Sequence, residues 1–249
     1  MIEAIKNHKT IRKYKNTPIP NDLVNEILLA GTRASTTGNM QLYSIVVTKD
    51  AELKEKLWES HFKQNMVVQA PVILTFCADF NRFTKWCDQR NAAHGYDNFL
   101  SFFTAAIDAL LAAQNVCTEA VANGLGICYL GTTTYMASKI IDILKLPKLV
   151  VPVTSVVVGY PDENPPLTDR LPLEAVIHDE TYQDYSNETI DQLYAGKEAM
   201  EFYQNIVKEN NMDNLAQVFA EKRYTKKDNL FFSQAFLKVI EEQGFMNNE

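Results

Sequence analysis

The chain has no excess of basic residues: 24 Lys and Arg stand against 31 Asp and Glu in 249 residues, a net charge of -7. Overall charge therefore excludes general binding of nucleic acid or of an anionic membrane. No apolar run reaches the roughly 18 residues of a membrane span. The N-terminal MIEAIKNHKTIRKYK has no apolar signal stretch, which argues against export. Four cysteines (Cys77, Cys87, Cys117, Cys128) make no CxxC pair and no metal-ligand spacing, so they read as free thiols in a reducing cytoplasm. His8, His61, His94 and His178 form no recognisable metal cluster. Phosphate-loop, zincin and nucleophile-elbow motifs are missing. Gly124-x-Gly126 has Tyr129 where a dinucleotide fingerprint needs its third glycine, and reads as a helix cap and turn. The acidic residues are scattered in the manner of solvated helix faces. An enzyme built this way takes its chemistry from a bound cofactor.

What is present is enough for a sizeable core: 46% of residues are hydrophobic and 10% aromatic. The length suits one large domain or two small ones. Short β-branched apolar runs at 43–48, 72–77 and 153–159 predict strands covered on both faces. Leu23, Ile27, Ala30 and Ala34 share one face of a helix starting near Pro20 or Asn21, and 51–58 reads as a short charged helix. The strongest helical signal spans 98–122, where Phe103, Ala106, Ile107, Leu110, Ala113, Cys117, Ala120 and Val121 keep 3.6-residue spacing. Leu111, Ala112 and Val116 make its other surface apolar too, so it must bury against a sheet, another subunit, or both. Asp97 is its expected N-cap and Gly124 its C-cap glycine. Another helix, 137–144, stops before Pro147. Beyond Pro161 the chain turns loop-like, and 188–243 reads as amphipathic helices without a strand. The class is α+β: a small central sheet, a buried long helix and a helical extension that caps its own domain or wraps a partner.

Three separated segments have chemistry suited to one anionic, heteroaromatic ligand. Residues 1–15 carry five Lys and Arg and one acid, a local +4 in a chain of -7. Pro18 and Pro20 discourage helix beyond them, so His8, Thr10 and Arg12 would point to one side of an extended segment. Converging cations, hydroxyls and N–H groups are what a phosphate needs. Ser35-Thr36-Thr37-Gly38-Asn39-Met40-Gln41 offers hydroxyls and amides for a ribityl chain or a pyrimidine edge, or is an ordinary helix-ending loop. Tyr129-Leu130-Gly131-Thr132 follows the long helix, and its glycine lets backbone N–H groups approach a flat ring, or simply makes a turn.

In order and spacing these segments resemble the flavin-dependent nitroreductases. The resemblance runs through HKTIRKY, PIP, STTGNMQ, YSIVV, Gln64, CADFNR at 77–82, AxxxGLG, YLG, LKLP at 144–147 and VGYPDENPPLTDRLP. The combination looks like the subgroup holding oxygen-insensitive NADPH nitroreductases and NADPH–flavin oxidoreductases, and covers about residues 1–185. It implies an α+β homodimer with FMN at the subunit interface: an FMN-binding part, 1–185, and a C-terminal extension, 186–249, that reaches over the second subunit. Carried over by position, His8, Lys9, Thr10 and Arg170 hold the FMN phosphate. Arg12 lies near the pyrimidine N1/O2 edge, where negative charge develops. Thr36 and Gln64 bond the ribityl chain or ring, and Tyr129, Leu130, Gly131 and Thr132 form the strip whose N–H groups face N5. The implied reaction is ping-pong hydride transfer from NADPH or NADH through FMN N5 to a small planar acceptor (a nitroaromatic, a quinone or free flavin), with no catalytic side chain, no metal, no nucleic acid and no membrane.

Some residues depart from the family pattern. Lys9 and Thr10 replace its usual arginine and serine, and Thr168, next to Asp169, replaces a lysine two positions before Arg170. FMN is therefore expected to be retained but held less tightly. Arg223, Lys226 and Lys227 are candidates for the NADPH 2'-phosphate and leave NADPH against NADH open. Other readings are a free-flavin reductase, an aromatic dehalogenase, a protein that only stores FMN, or a nucleotide- or RNA-binding module.

Overall fold

A computed structural model describes residues 1–247 of the chain. Four strands form one antiparallel sheet in the order β1-β2-β4-β3: β1 (Tyr43–Thr48), β2 (Val72–Asp79), β3 (Gly126–Leu130) and β4 (Val150–Gly159). Every residue of β2 is buried and all but one of β4, so neither strand alternates polar with apolar residues. The three apolar runs in the sequence are β1, β2 and β4. The edge strand β3 is a correction to the turn expected around Gly126. Gly124, at φ +75°, closes the turn after the long helix, but Gly126 opens a strand.

Helices α1 (Glu3–Lys6) and α2 (Asn21–Thr32) precede β1, while α3 (Ala51–Ser60) and α4 (Asn65–Gln69) join β1 to β2. Asp50 caps α3, its carboxylate accepting from Leu53 N–H at 2.9 Å. Between β2 and β3 lie α5 (Asn81–Gln89) and the 24-residue α6 (Phe99–Ala122); α7 (Thr132–Tyr135) and α8 (Ala137–Leu144) lead into β4. The cap of α6 is Asn98, one residue later than expected, its side chain accepting from Ser101 N–H at 3.0 Å. Asp97 instead accepts from the Asn247 side-chain amide at 2.7 Å.

The buried side of α6 also differs from the expected one. Ala105, Ala106, Ala109, Ala112, Ala113, Val116, Cys117 and Ala120 face inward, while Phe103, Ile107, Leu110 and Leu111 are exposed. Small residues win the inner face because α6 packs against α2 and all four strands. At Gly31 of α2 an added Cβ would lie 2.5 Å from Val116 Cγ2, so glycine is what lets the two helices approach. By length and composition α6 is also apolar enough to cross a membrane, with mean hydropathy 1.4, contrary to the run-by-run sequence reading. Half of that window is buried inside the protein, as in a core helix.

The chain divides into two compact units, residues 1–166 with 232 onward, and Leu167–Phe231. The second holds α9 (Asn187–Glu198), α10 (Glu201–Glu209), α11 (Leu215–Gln217) and a π-helical turn, Val218–Arg223, around a small core of Tyr203, Ile206, Leu215 and Val218. Helix α12 (Lys226–Glu242) starts in it and ends in the first unit, where Val239, Ile240 and Phe245 pack with Leu42, Phe80 and Phe102. The last helix thus fills its own chain's core.

Candidate functional site

The basic N-terminal segment lies along the free edge of β3. Thr10 pairs with Ile127 in a parallel bridge, and Ile11 N–H donates to Ile127 O at 3.0 Å. Ile11 is buried over Gly126, where an added Cβ would meet its side chain at 2.7 Å. Tyr14 bridges to Pro161, and its hydroxyl donates to Ile11 O at 2.6 Å. These contacts place the segment against the loop after β4. Lys9 Nζ donates to Asn164 Oδ1 at 2.8 Å, and the N–H groups of Arg12 and Lys13 both donate to Glu163 Oε1. Glu163 therefore offsets part of the local +4, which the sequence counted unopposed. A cavity of about 330 Å³ opens here, lined by Lys9, Gly124, Gly126, Glu163 and Asn164 among others. His8 is half-buried, and Arg12 is exposed.

The loop carrying Thr36 is held from below by a residue the sequence did not single out. Asp108 is 1% exposed, on the inner face of α6. Its Oδ1 accepts from Thr37 N–H at 3.0 Å and from the Thr37 hydroxyl at 3.3 Å; its Oδ2 accepts from Leu42 N–H at 3.2 Å. A carboxyl group is tolerated in a core only with such partners. The default of solvated acidic faces fails for it. Gly38, Asn39 and Gln41 all have φ near +55°, and the Arg82 guanidinium donates to the carbonyls of Gln41 and Tyr43.

Gln64 and Thr132 are brought together by another unforeseen residue, His61. Gln64 stands at the N-cap position of α4, and its side-chain amide donates to His61 O at 3.0 Å. Across from it the His61 ring Nδ1 lies 2.8 Å from Thr132 Oγ1. Burial pushes the imidazole pKa down to about 4, so the ring is neutral at working pH. Gly131, between β3 and α7, has open space where a Cβ would stand, leaving its backbone accessible to a flat ring. Leu130 is buried beneath, its carbonyl accepting from the Thr133 hydroxyl at 2.8 Å. The Tyr129 hydroxyl donates to Gln114 Oε1 of α6 at 3.3 Å.

Arg170 belongs to the second unit, where its guanidinium donates to the carbonyls of Thr168 and Asp169 at 3.2 and 2.8 Å. The Asp169 carboxylate is bonded by Lys197 Nζ at 2.7 Å and by the Tyr203 hydroxyl at 2.6 Å, and these bonds hold its pKa below the usual carboxylate range. Its charge is paired, which removes one of the two reasons for expecting weak phosphate binding. Arg223 lies over the Phe219 ring, 5.7 Å from its centroid. A separate, largely apolar cavity of about 560 Å³ sits within this unit between Tyr194, Leu215, Phe219 and Tyr224, and holds none of the expected flavin residues.

The profile of the nitroreductase family matches residues 5–160, the segment that contains the sheet, α6 and the first-unit site residues other than Pro161, Glu163 and Asn164. The chain belongs to the nitroreductase family. It is 31% identical over 210 residues to an NAD(P)H-dependent FMN reductase of Bacillus subtilis, covering 82% of this chain and 83% of that one. It is 32% identical over 182 residues to an oxygen-insensitive NADPH nitroreductase of Salmonella typhimurium, covering 73% and 74%. A crystal structure from Bacteroides fragilis, whose oxidoreductase assignment is provisional, superposes with a TM-score of 0.97 at 56% identity, over 99% of this chain and 100% of that one. The likeness to that chain runs on through the helical C-terminal residues, beyond the profile's limit at residue 160.

Proposed function

We propose that this nitroreductase binds FMN and transfers hydride from NAD(P)H to nitroaromatic, quinone or flavin acceptors. The observation that carries the reading is the surface at the end of β3: an accessible Gly131 backbone beside Thr132, tied through His61 to the loop bearing Gln64. Those residues fit a planar ring with acceptor atoms along its edge. When bound, FMN would supply the two-electron chemistry at N5, taking hydride from the nicotinamide and yielding it to the acceptor in a separate encounter.

The chain's own part is positional and electrostatic. His8, Lys9 and Thr10 would supply cations and a hydroxyl for a phosphate, and Arg12 would place a guanidinium at the pyrimidine edge. Thr36 and Gln64 would donate or accept along the ribityl chain and ring, and the Tyr129–Thr132 strip would offer N–H groups toward N5. No side chain has to act as a nucleophile. The open stripe of Phe103, Ile107, Leu110 and Leu111 on α6 supports a homodimer with the site at its interface, since four bulky apolar residues within nine positions of one helix form a patch rather than scattered exposure. Residues 1–185 would bind the flavin, and of the helical extension from 186 the part before the docked end of α12 would cover the second subunit. Four buried free thiols suit the cytoplasm. The test is the purified protein: yellow, bleached by NADPH without oxygen, and recoloured by a nitroaromatic. A colourless preparation that takes up no added FMN refutes the proposal.

A further inference from the structure

His61 is fully buried, yet it sits between two segments that reach the site from different parts of the chain. Its carbonyl accepts both the backbone N–H and the side-chain amide of Gln64, at 3.2 and 3.0 Å. Its ring Nδ1 is 2.8 Å from Thr132 Oγ1. The other ring nitrogen, Nε2, is buried without a hydrogen-bond partner among the described residues. Phe62 and Lys63, immediately before Gln64, both take left-handed backbone, at φ +54° and +56°. For an aromatic residue that is a strained conformation, costing on the order of 1–3 kcal/mol, and it persists only where the surroundings over-determine it. A buried polar ring with one nitrogen unsatisfied, next to a strained tandem, is costly for mere packing.

We propose that His61 is a positioning residue for the flavin, donating from Nδ1–H to Thr132 Oγ1 so that the threonine hydroxyl proton and the Gln64 amide are both held toward the cofactor. This rests on the reading that Gln64 and Thr132 contact FMN. In this tautomer the unpaired buried group is a lone pair on Nε2 rather than an N–H, the less costly orphan. Thr132 Oγ1 has no other partner among the described residues, so its proton stays available to an acceptor outside the fold. Because the ring stays neutral, it orders the site without adding charge beside it.

The experiment is FMN titration of the flavin-free full-length chain, followed by flavin fluorescence, together with the visible absorption spectrum of each loaded protein. His61→Leu fills the space without a donor, and His61→Asn keeps a donor at the Nδ1 position. The expected result is an FMN Kd raised about tenfold in His61→Leu with a shifted flavin spectrum, and within threefold of the parent in His61→Asn. Thr132→Val leaves His61 in place and should weaken binding to the same degree, and the double variant no further. Equal losses in the Leu and Asn variants would assign His61 to packing and overturn the proposal. If His61→Leu does not fold, Thr132→Val decides: parent-like affinity and spectrum refute it. A parent chain that binds no FMN sinks the flavin reading itself, and this inference with it.

Discussion

Acidification should weaken the fold through His61 in a way that one substitution removes. The folded chain holds this imidazole at a pKa of about 4 because burial penalises the charged form, against an ordinary value near 6.5 in the unfolded chain. Between those values the unfolded state binds the proton and the folded state does not, so stability is full above about pH 7 and falls as pH drops toward 4. Each unit of separation is about 1.4 kcal/mol. From pH 7.5 to pH 5 the loss from this one group comes to about 2 kcal/mol, and it levels off near 3 kcal/mol below pH 4. Urea unfolding of the flavin-free chain at fixed protein concentration, repeated across that range, measures it. His61→Asn has no titrating ring, so its stability curve should be flatter than the parent's by about 2 kcal/mol over the same interval, whatever its absolute level. Only the difference in slope matters, because carboxylates elsewhere, such as the paired Asp169, contribute equally to both proteins. Parallel curves would refute the account, since they would mean the ring takes up its proton equally in both states.

Gly126→Ala forces a Cβ to within 2.7 Å of Ile11, so it should cost about 1–3 kcal/mol in unfolding experiments by prising the N-terminal segment from β3. Arg12→Ala should slow flavin reduction by NADPH on the order of 10²-fold in stopped flow while changing FMN affinity much less; unchanged reduction kinetics would remove Arg12 from the pyrimidine edge. Cys77, Cys117 and Cys128 have pKa values pushed up by burial, Cys117 to about 12. A thiol reagent at pH 8 should leave these three unmodified until denaturant is added.

The elements visible in the sequence are those whose signal is local. β1, β2 and β4 are runs of β-branched residues, and α3 carries its own cap in Asp50. β3 is not local: five residues opened by a glycine become a strand only because β4 pairs on one side and Thr10 and Ile11 on the other. The inner face of α6 was ambiguous for a different reason. A helix apolar all round has no strong moment, and residue volume decides: the alanine face fits against the sheet and Gly31, leaving the bulky stripe outside.

The site shows the same division. The segments proposed to face the ligand stand out by their order along the chain, but the groups that hold them do not. Asp108 and His61 are single polar residues without a flanking pattern, the motif around Glu163 does not disclose its partners, and each acts on a segment 66 to 151 positions away or across a turn. Asp108 fixes the Thr36 loop, His61 joins Gln64 to Thr132, and Glu163 anchors Arg12 and Lys13. Such supports become legible only when the fold closes, because a buried polar group is tolerable only with partners that distance along the chain conceals. Grip on the cofactor should therefore respond to changes at these three positions as strongly as at the residues that touch it.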